Sequence, residues 1–321
     1  MTTATPTQEQ TQILLLGAGE LGLALLPHLS SLPNTHVTIG VRSPEKYTHL
    51  ATPTISLTTV DLTSPSPILI PVFSSYDILI SATGFTSSPG SVTKLAHEVL
   101  EAGQSRKQQG KGRLWYFPWQ WGVDYDITGD GNGLMPLFGE QKRVRDLLRK
   151  EAQGSGVKWT VVSTGIFMSF LFEPFWGIVD RSQEGHGGEA EKVVVRCLRD
   201  WSHRVTVTDV ADIGRVVQRI LAGDVDAENR VLFVGGATIS YGQLAEVVGR
   251  VAGCKVVREA WSLEGLKEEL RKDPENGIKK YRLVFAGEGV SWAGQATVNH
   301  ELGMEMMDAE TCAKGVFGVQ Q

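Results

Sequence analysis

ILLLGAGELG, residues 13–22, is the stretch that decides the fold. Four apolar residues ending in a glycine read as a strand buried on both faces, where no polar alternation is needed. The apolar spacing of residues 21–32 is helical, and Pro33-Asn34 ends it. Between strand and helix, Gly17, Gly19 and Gly22 match G-x-G-x-x-G in the context that gives the pattern meaning. Gly17 permits the tight turn, Gly19 lets the backbone approach a pyrophosphate, and Gly22 allows helix to pack on strand. Glu20 and Leu21 lie in the first helical turn, whose N–H groups and partial positive charge suit a phosphate. The plainer alternative is a glycine-rich turn that holds nothing.

Outward from this unit, residues 36–41, 54–60, 77–83, 113–117 and 158–163 read as strands. Residues 91–102 and 138–152 read as helices. Alternating strands and helices predict a parallel sheet covered on both faces, with right-handed crossovers. The expected fold is α/β: a Rossmann-type doubly wound parallel sheet with a smaller α/β C-terminal substrate-binding region. Further strands are expected at 192–196, 204–207 and 230–234, and helices at 209–221 and 241–252. Residues 262–289 are highly charged and read as an exposed helical segment, and the glycine-rich stretches 129–133 and 185–188 as loops. The expected division is a disordered lead-in over 1–12, a nucleotide-binding domain over 13–165 and a substrate-binding region over 166–321. Elements at about 204–235 are expected to return to the first domain.

Arg42 follows the second strand. An NAD site carries an acid there for the ribose 2′-hydroxyl, whereas a guanidinium pairs with a 2′-phosphate through two hydrogen bonds. NADP(H) is therefore favoured over NAD(H), with Lys46 in support. Thr83, Gly84 and Phe85 end another strand at the carboxyl edge of the sheet, where cofactor contacts are expected.

The chain of 321 residues has a formal net charge of −5, with 21% charged and 41% hydrophobic residues. A weakly negative chain argues against nucleic acid as a partner. No apolar run reaches the roughly 20 residues that span a bilayer. Residues 1–12 carry no signal pattern, so a cytoplasmic protein is expected. Cys197, Cys254 and Cys312 lack ligand spacing and read as reduced thiols. His28, His186, His203 and His300 share no spacing that would hold a metal, and none is expected.

The Gly17–Gly22 loop, Arg42 and the run Phe117-Pro118-Trp119-Gln120-Trp121-Gly122 resemble the NmrA-like/isoflavone reductase-like group of atypical short-chain dehydrogenases. Plant members carry Phe-Pro-Ser-Glu-Phe-Gly at that run. Its Trp-Gln variant, with Phe138-Gly139-Glu140-Gln141, is most similar to the fungal isoflavone-reductase-like subgroup. The resemblance extends roughly over residues 13–257. It implies NADPH-dependent reduction of a small aromatic or polyketide-like metabolite, with hydride passing to a carbonyl, an enone or a benzylic electrophile. It also implies a lysine acting as general acid or base on the helix after the Phe-Pro run. Alignment on Val144-Arg145 puts Gln141 at that position, with Lys142 about 100° around the helix. Glutamine can orient a carbonyl but cannot supply a proton as lysine can.

Lys142, Gln141 and Tyr125 are thus the catalytic candidates. A Tyr-x-x-x-Lys pair is absent at Tyr125 and Tyr116, which are followed four residues on by Gly129 and Gln120. Trp119, Trp121, Phe167, Met168, Phe170, Phe175 and Trp176 form an aromatic-rich set expected to line an apolar ligand pocket. Core packing and a homodimer contact are the competing uses of the same side chains. Two rival functions stay open. One is an NADP-sensing regulator without turnover. The other is a non-redox dehydratase, isomerase or cyclase on the same fold.

Overall fold

The computed structural model describes residues 10–84, 88–181 and 192–318. In chain order the elements are β1 (Thr11–Leu16), α1 (Glu20–Ser30), β2 (Thr35–Val41), β3 (Ile55–Thr59), α2 (Ser66–Ser74), β4 (Ile78–Ser81), α3 (Ser91–Gln108) and β5 (Leu114–Phe117). Then come α4 (Tyr125–Thr128), α5 (Pro136–Glu151), β6 (Val157–Ser163), β7 (Ile166–Phe167), β8 (Val179–Asp180), β9 (Lys192–Leu198) and β10 (Arg204–Thr208). The chain continues with α6 (Val210–Leu221), β11 (Arg230–Phe233), β12 (Ala237–Ser240), α7 (Tyr241–Ala252) and β13 (Lys255–Trp261). It closes with α8 (Leu263–Lys272), α9 (Gly277–Phe285), α10 (Val298–Glu301) and α11 (Ala309–Val316). Short 3-10 turns lie at Pro44–Leu50, Met168–Phe172 and Gly294–Ala296. Among the described residues, no helix is long and apolar enough to cross a membrane.

The chain divides into two compact units. The first comprises Met1–Gln120, Arg143–Val161 and Gly214–Val231. It is built on a seven-stranded sheet of order β11-β6-β5-β4-β1-β2-β3. The pairings β1 with β2 and β4, β2 with β3, β4 with β5, and β5 with β6 are all parallel. This is the doubly wound Rossmann arrangement. The chain winds outward from β1 to β3, then resumes on the other side of β1 at β4. A crevice therefore opens at the carboxyl ends of β1 and β4, the topological switch point where ligands bind in such sheets. Ile13, Leu14, Leu15 and Leu16 are all buried, which accounts for their unbroken apolar run. On α3, the buried residues Val92, Leu95, Ala96, Val99, Leu100 and Ala102 recur at helical spacing and face the sheet. Helices α1 and α6 approach closely because residue 214 is glycine: a Cβ there would overlap the ring of His28 and the Ala24 carbonyl.

The second unit comprises Trp121–Lys142, Val162–Ile213 and Leu232–Gln321. It holds two three-stranded sheets, β12-β10-β7 and β13-β9-β8. Its core contains Met168, Trp176, Tyr241 and Phe285, all fully buried. Helix α7 starts in a capping box. Ser240 Oγ accepts the Gln243 N–H at 3.1 Å, and Gln243 Oε1 accepts the Ser240 N–H at 3.0 Å. It ends at Gly253 in the left-handed region, as helix C-termini often do.

Four expectations need correction. β10 does not return to the large sheet. It pairs antiparallel with β12 and parallel with β7, so the returning segment is Gly214–Val231. Residues 121–142 fall in the second unit, although the expected boundary was at 165. Thr11 and Gln12 are strand rather than lead-in, because they pair with Thr35 and His36; residues 1–9 lie outside the described residues. The segment 262–289 is two helices and is not wholly exposed, since α9 buries Val284 and Phe285. The expected loop at 185–188 and His186 lie outside the described residues.

Candidate functional site

The three glycines at the end of β1 differ in what surrounds them. Gly17 has φ +100°, a conformation that side chains disfavour, and a Cβ there would stand 2.7 Å from the Ala82 carbonyl oxygen. A Cβ on Gly22 would overlap the Gly17 carbonyl oxygen, so this glycine lets α1 pack on the turn. Gly19 is different. Its backbone is extended, with φ −82° and ψ −171°, which any residue adopts. No described atom lies within 4 Å of a Cβ placed there. Neither conformation nor packing among the described residues calls for glycine at 19. The open space there leaves room for a ligand to approach the backbone, as G-x-G-x-x-G loops allow.

Gly19 caps α1 with no side-chain hydrogen bond. The first N–H groups of a helix have no intrahelical acceptor, so this end suits an anion. Glu20 is exposed, and Leu21 and Gly22 are buried. Thr83 and Gly84 follow β4 across the crevice, and a Cβ on Gly84 would also meet no described atom within 4 Å. Phe85 lies outside the described residues.

Arg42 is exposed immediately after β2, and Lys46 is exposed in the 3-10 turn that follows. Asp61, two residues past β3, had no part in the sequence reading. Thr63 donates to it from its N–H at 3.0 Å and its hydroxyl at 2.8 Å. These bonds, aided by the positive charges of Arg42 and Lys94, hold the Asp61 carboxyl below its usual range. Lys94 is tied down by the carbonyls of Leu62 and Ser64 at 3.0 and 2.9 Å. An acid close behind the third strand was the available signal.

The Phe-Pro run continues from β5 with its side chains turned inward. Gln120 is buried, and its Oε1 accepts from Nε of the equally buried Arg145 at 2.8 Å. The inward face of α5 is Phe138, Gln141, Val144, Arg145 and Leu148, a helical spacing that fixes the rotation of the helix. Gln141 is on that face and Lys142 is beside it, half-buried. Trp119 and Trp121 are almost fully buried.

In the second unit Tyr125 is buried and meets Phe138 edge-to-face at 5.1 Å. Phe138 meets Tyr281 at 5.9 Å, and Tyr281 meets Trp176 at 5.1 Å. Tyr125 is thus a member of a core aromatic stack rather than an exposed acid. The expected pocket set divides. Phe167, Phe170 and Phe175 form an edge-to-face chain, with centroids 5.9 and 5.5 Å apart, that reaches the surface. Met168 and Trp176 have no exposed surface, so they are core residues and line no opening wide enough for a ligand. Among the described residues, no cluster of His, Cys, Asp or Glu could hold a metal ion.

A model of the NmrA-like family matches residues 9–299. An NmrA-like family domain-containing oxidoreductase of Gibberella moniliformis is 36% identical over 319 residues, covering 95% of this chain and 97% of that protein. Among solved structures, AtPrR2 with NADP+ and (+)-pinoresinol has a TM-score of 0.72 at 14% identity, covering 97% of this chain and 99% of that one. An NADPH-dependent quinone oxidoreductase of Escherichia coli complexed with NADPH has a TM-score of 0.71 at 16% identity, covering 95% and 99%. At such identities the two structures share a fold with this chain. The family match and the 36% identity, both running along most of the chain, say more: this chain belongs to the NmrA-like family.

Proposed function

We propose that this chain is an NADPH-dependent oxidoreductase acting on a small aromatic or polyketide-like metabolite. One observation carries the reading: Gly19 is open where Gly17 and Gly22 are forced. A position kept as glycine for neither conformation nor packing fits a bound pyrophosphate. Gly17, Gly19 and Gly22 with the first turn of α1 would hold the phosphates, and Arg42 with Lys46 would hold the 2′-phosphate. Thr83, Gly84 and Phe85 belong to the same proposed cofactor set. The named ligands of the structural neighbours, NADP+ and NADPH, agree with this choice, and pinoresinol agrees with an aromatic substrate.

When bound, the cofactor supplies a hydride from C4 of its nicotinamide. The chain's own share is to orient the two reactants and to meet developing negative charge with a hydrogen-bond donor. Gln141, on the buried face of α5, is the candidate donor to a substrate oxygen, and its amide does not give up a proton. Lys142, half-buried beside it, is the candidate proton source. Phe167, Phe170 and Phe175 are the candidate contacts to an aromatic ring.

The experiment is a titration of the protein with NADPH and NADH, followed by nicotinamide fluorescence. Selective NADPH binding is expected, then oxidation of NADPH by aromatic carbonyls, enones or quinones. Absence of binding by either nucleotide overturns the reading. Gln141 at the position of the family lysine favours a second reading, cofactor binding without turnover. It predicts that Gln141→Lys creates NADPH oxidation where the native chain has none. Turnover by the native chain that Lys142→Met abolishes would rule this second reading out.

A further inference from the structure

Three consecutive backbone carbonyls, of Phe175, Trp176 and Gly177, are each held by a guanidinium. Arg282 donates from Nη2 to the Phe175 oxygen at 3.1 Å and to the Trp176 oxygen at 2.7 Å. Its Nε reaches the Trp176 oxygen at 3.0 Å. Arg196 donates from Nη1 to the Gly177 oxygen at 3.0 Å. Both guanidiniums stack on Trp261, with Cζ 4.2 Å (Arg282) and 5.3 Å (Arg196) from the ring centroid. Gly177 sits at φ +71°, and a Cβ there would come 2.9 Å from Nη2 of Arg282.

The two arginines differ in their compensation. Arg196 pairs with Asp180 at 3.1 Å and Glu259 at 2.7 Å. Arg282 meets carbonyl oxygens and the Trp261 ring instead of a carboxylate. Burial and the positive charge of Arg196 push its pKa down. Holding a cation in such a place costs free energy, and its return is the fixed path of the loop. That loop carries Phe175, which stays 47% exposed in edge-to-face contact with Phe170. An exposed phenylalanine on a loose loop would fold against its neighbours. A carbonyl frame this constrained keeps the ring outward, and a binding surface fixed before its ligand arrives loses less entropy on binding.

We infer that Arg282 is a positioning residue that holds Phe175 and Phe170 as a rigid face for a planar aromatic ring of the substrate. This rests on the aromatic-substrate reading above. Edge-to-face and offset-stacked contacts are the recognition it would supply.

The test uses full-length protein and flavone as the probe, with binding measured by calorimetry and NADPH binding measured separately by fluorescence. Wild type is expected to bind flavone. Arg282→Met and Phe175→Ala should each weaken flavone at least about ten-fold while leaving NADPH affinity unchanged, a split that a general loss of structure would not give. Arg282→Lys, which keeps the charge but loses the fork, should fall between. Wild type that does not bind flavone, or Arg282→Met that folds and binds it normally, overturns the inference. If Arg282→Met does not fold, Trp261→Leu, which removes the stacking surface, takes its place. Failure of both to fold makes Arg282 a scaffold residue and also overturns it. A wild-type dimer that Phe175→Ala dissociates assigns the face to a second copy and counts against it. Loss of NADPH binding by wild type would refute the oxidoreductase reading alone, since flavone binding is read independently.

Discussion

The α-carbon of Gly22 lies so close to the Gly17 carbonyl that a Cβ on Gly22 would overlap its oxygen, whereas Gly19 between them faces open space. Substitution should therefore separate stability from binding. Gly22→Ala is expected to destabilise by about 1–3 kcal/mol, the usual cost of overpacking. Gly19→Ala should melt at nearly the wild-type temperature and lose NADPH. The check is a thermal melt and a nucleotide titration on both variants. Equal loss of stability in the two would mean that Gly19 is also structural.

Arg42 should decide between nucleotides. Removing a guanidinium that meets a phosphate loses charge-assisted hydrogen bonds worth roughly 1.5–3 kcal/mol. Arg42→Ala should therefore weaken NADPH by about ten- to a hundred-fold and leave NADH nearly untouched. Titration of both nucleotides reads this directly, and a parallel loss of the two would remove Arg42 from the 2′-phosphate site.

Gln120 faces a fully buried cation. Its Oε1 accepts from Arg145 Nε at 2.8 Å, and neither residue has appreciable exposed surface. Gln120→Leu keeps the volume and removes the acceptor, so a buried charged donor loses a partner. A loss of at least about 1–3 kcal/mol is expected in denaturant unfolding. Gln120→Glu restores an acceptor and should unfold later than the leucine variant.

Cys312 is pushed up to about 11 by burial, with the negative charge of Asp209 adding to it. A raised pKa in the folded state means that the native thiol keeps its proton where the unfolded thiol has lost it. Its contribution to stability is therefore complete below pH 9 and is lost as the pH rises from about 9 towards 11. Alkylation of native protein at Cys312 should be slow at pH 8, compared with a denatured control, and should accelerate towards pH 11. Fast alkylation at pH 8 would show that the thiol is neither buried nor shifted.

The strands and helices of the first unit were largely legible because each carries its own local signal. ILLLG before a helical repeat predicts β1 and α1, and the same logic recovers β2, β4, β5 and β6 to within about two residues. Helix α2, SPILIPVFS, was missed because two prolines and flanking serines look like a loop; one proline sits in the first turn, where its missing N–H costs nothing. Strand β13, KVVREAW, was missed because it borders only β9 in its sheet and is mostly exposed, so it shows no apolar face.

The sequence by itself determined the strand–glycine loop–helix unit, the alternation that makes the sheet parallel, and Arg42 in place of an acid. These depend on neighbours within one or two turns of chain. Only the tertiary structure decided that Gly19 alone of the three glycines is open, that β10 joins β12 and β7, and that Gln141 faces inward. It also separated the half-buried Phe167 and Phe170 and the exposed Phe175 from the fully buried Met168 and Trp176. Each of those depends on which distant backbone or ring arrives beside the residue, as Arg282 arrives beside the carbonyls of Phe175 and Trp176. Hydrophobicity is the same for a ring in a core and a ring on a face, so only packing distinguishes them.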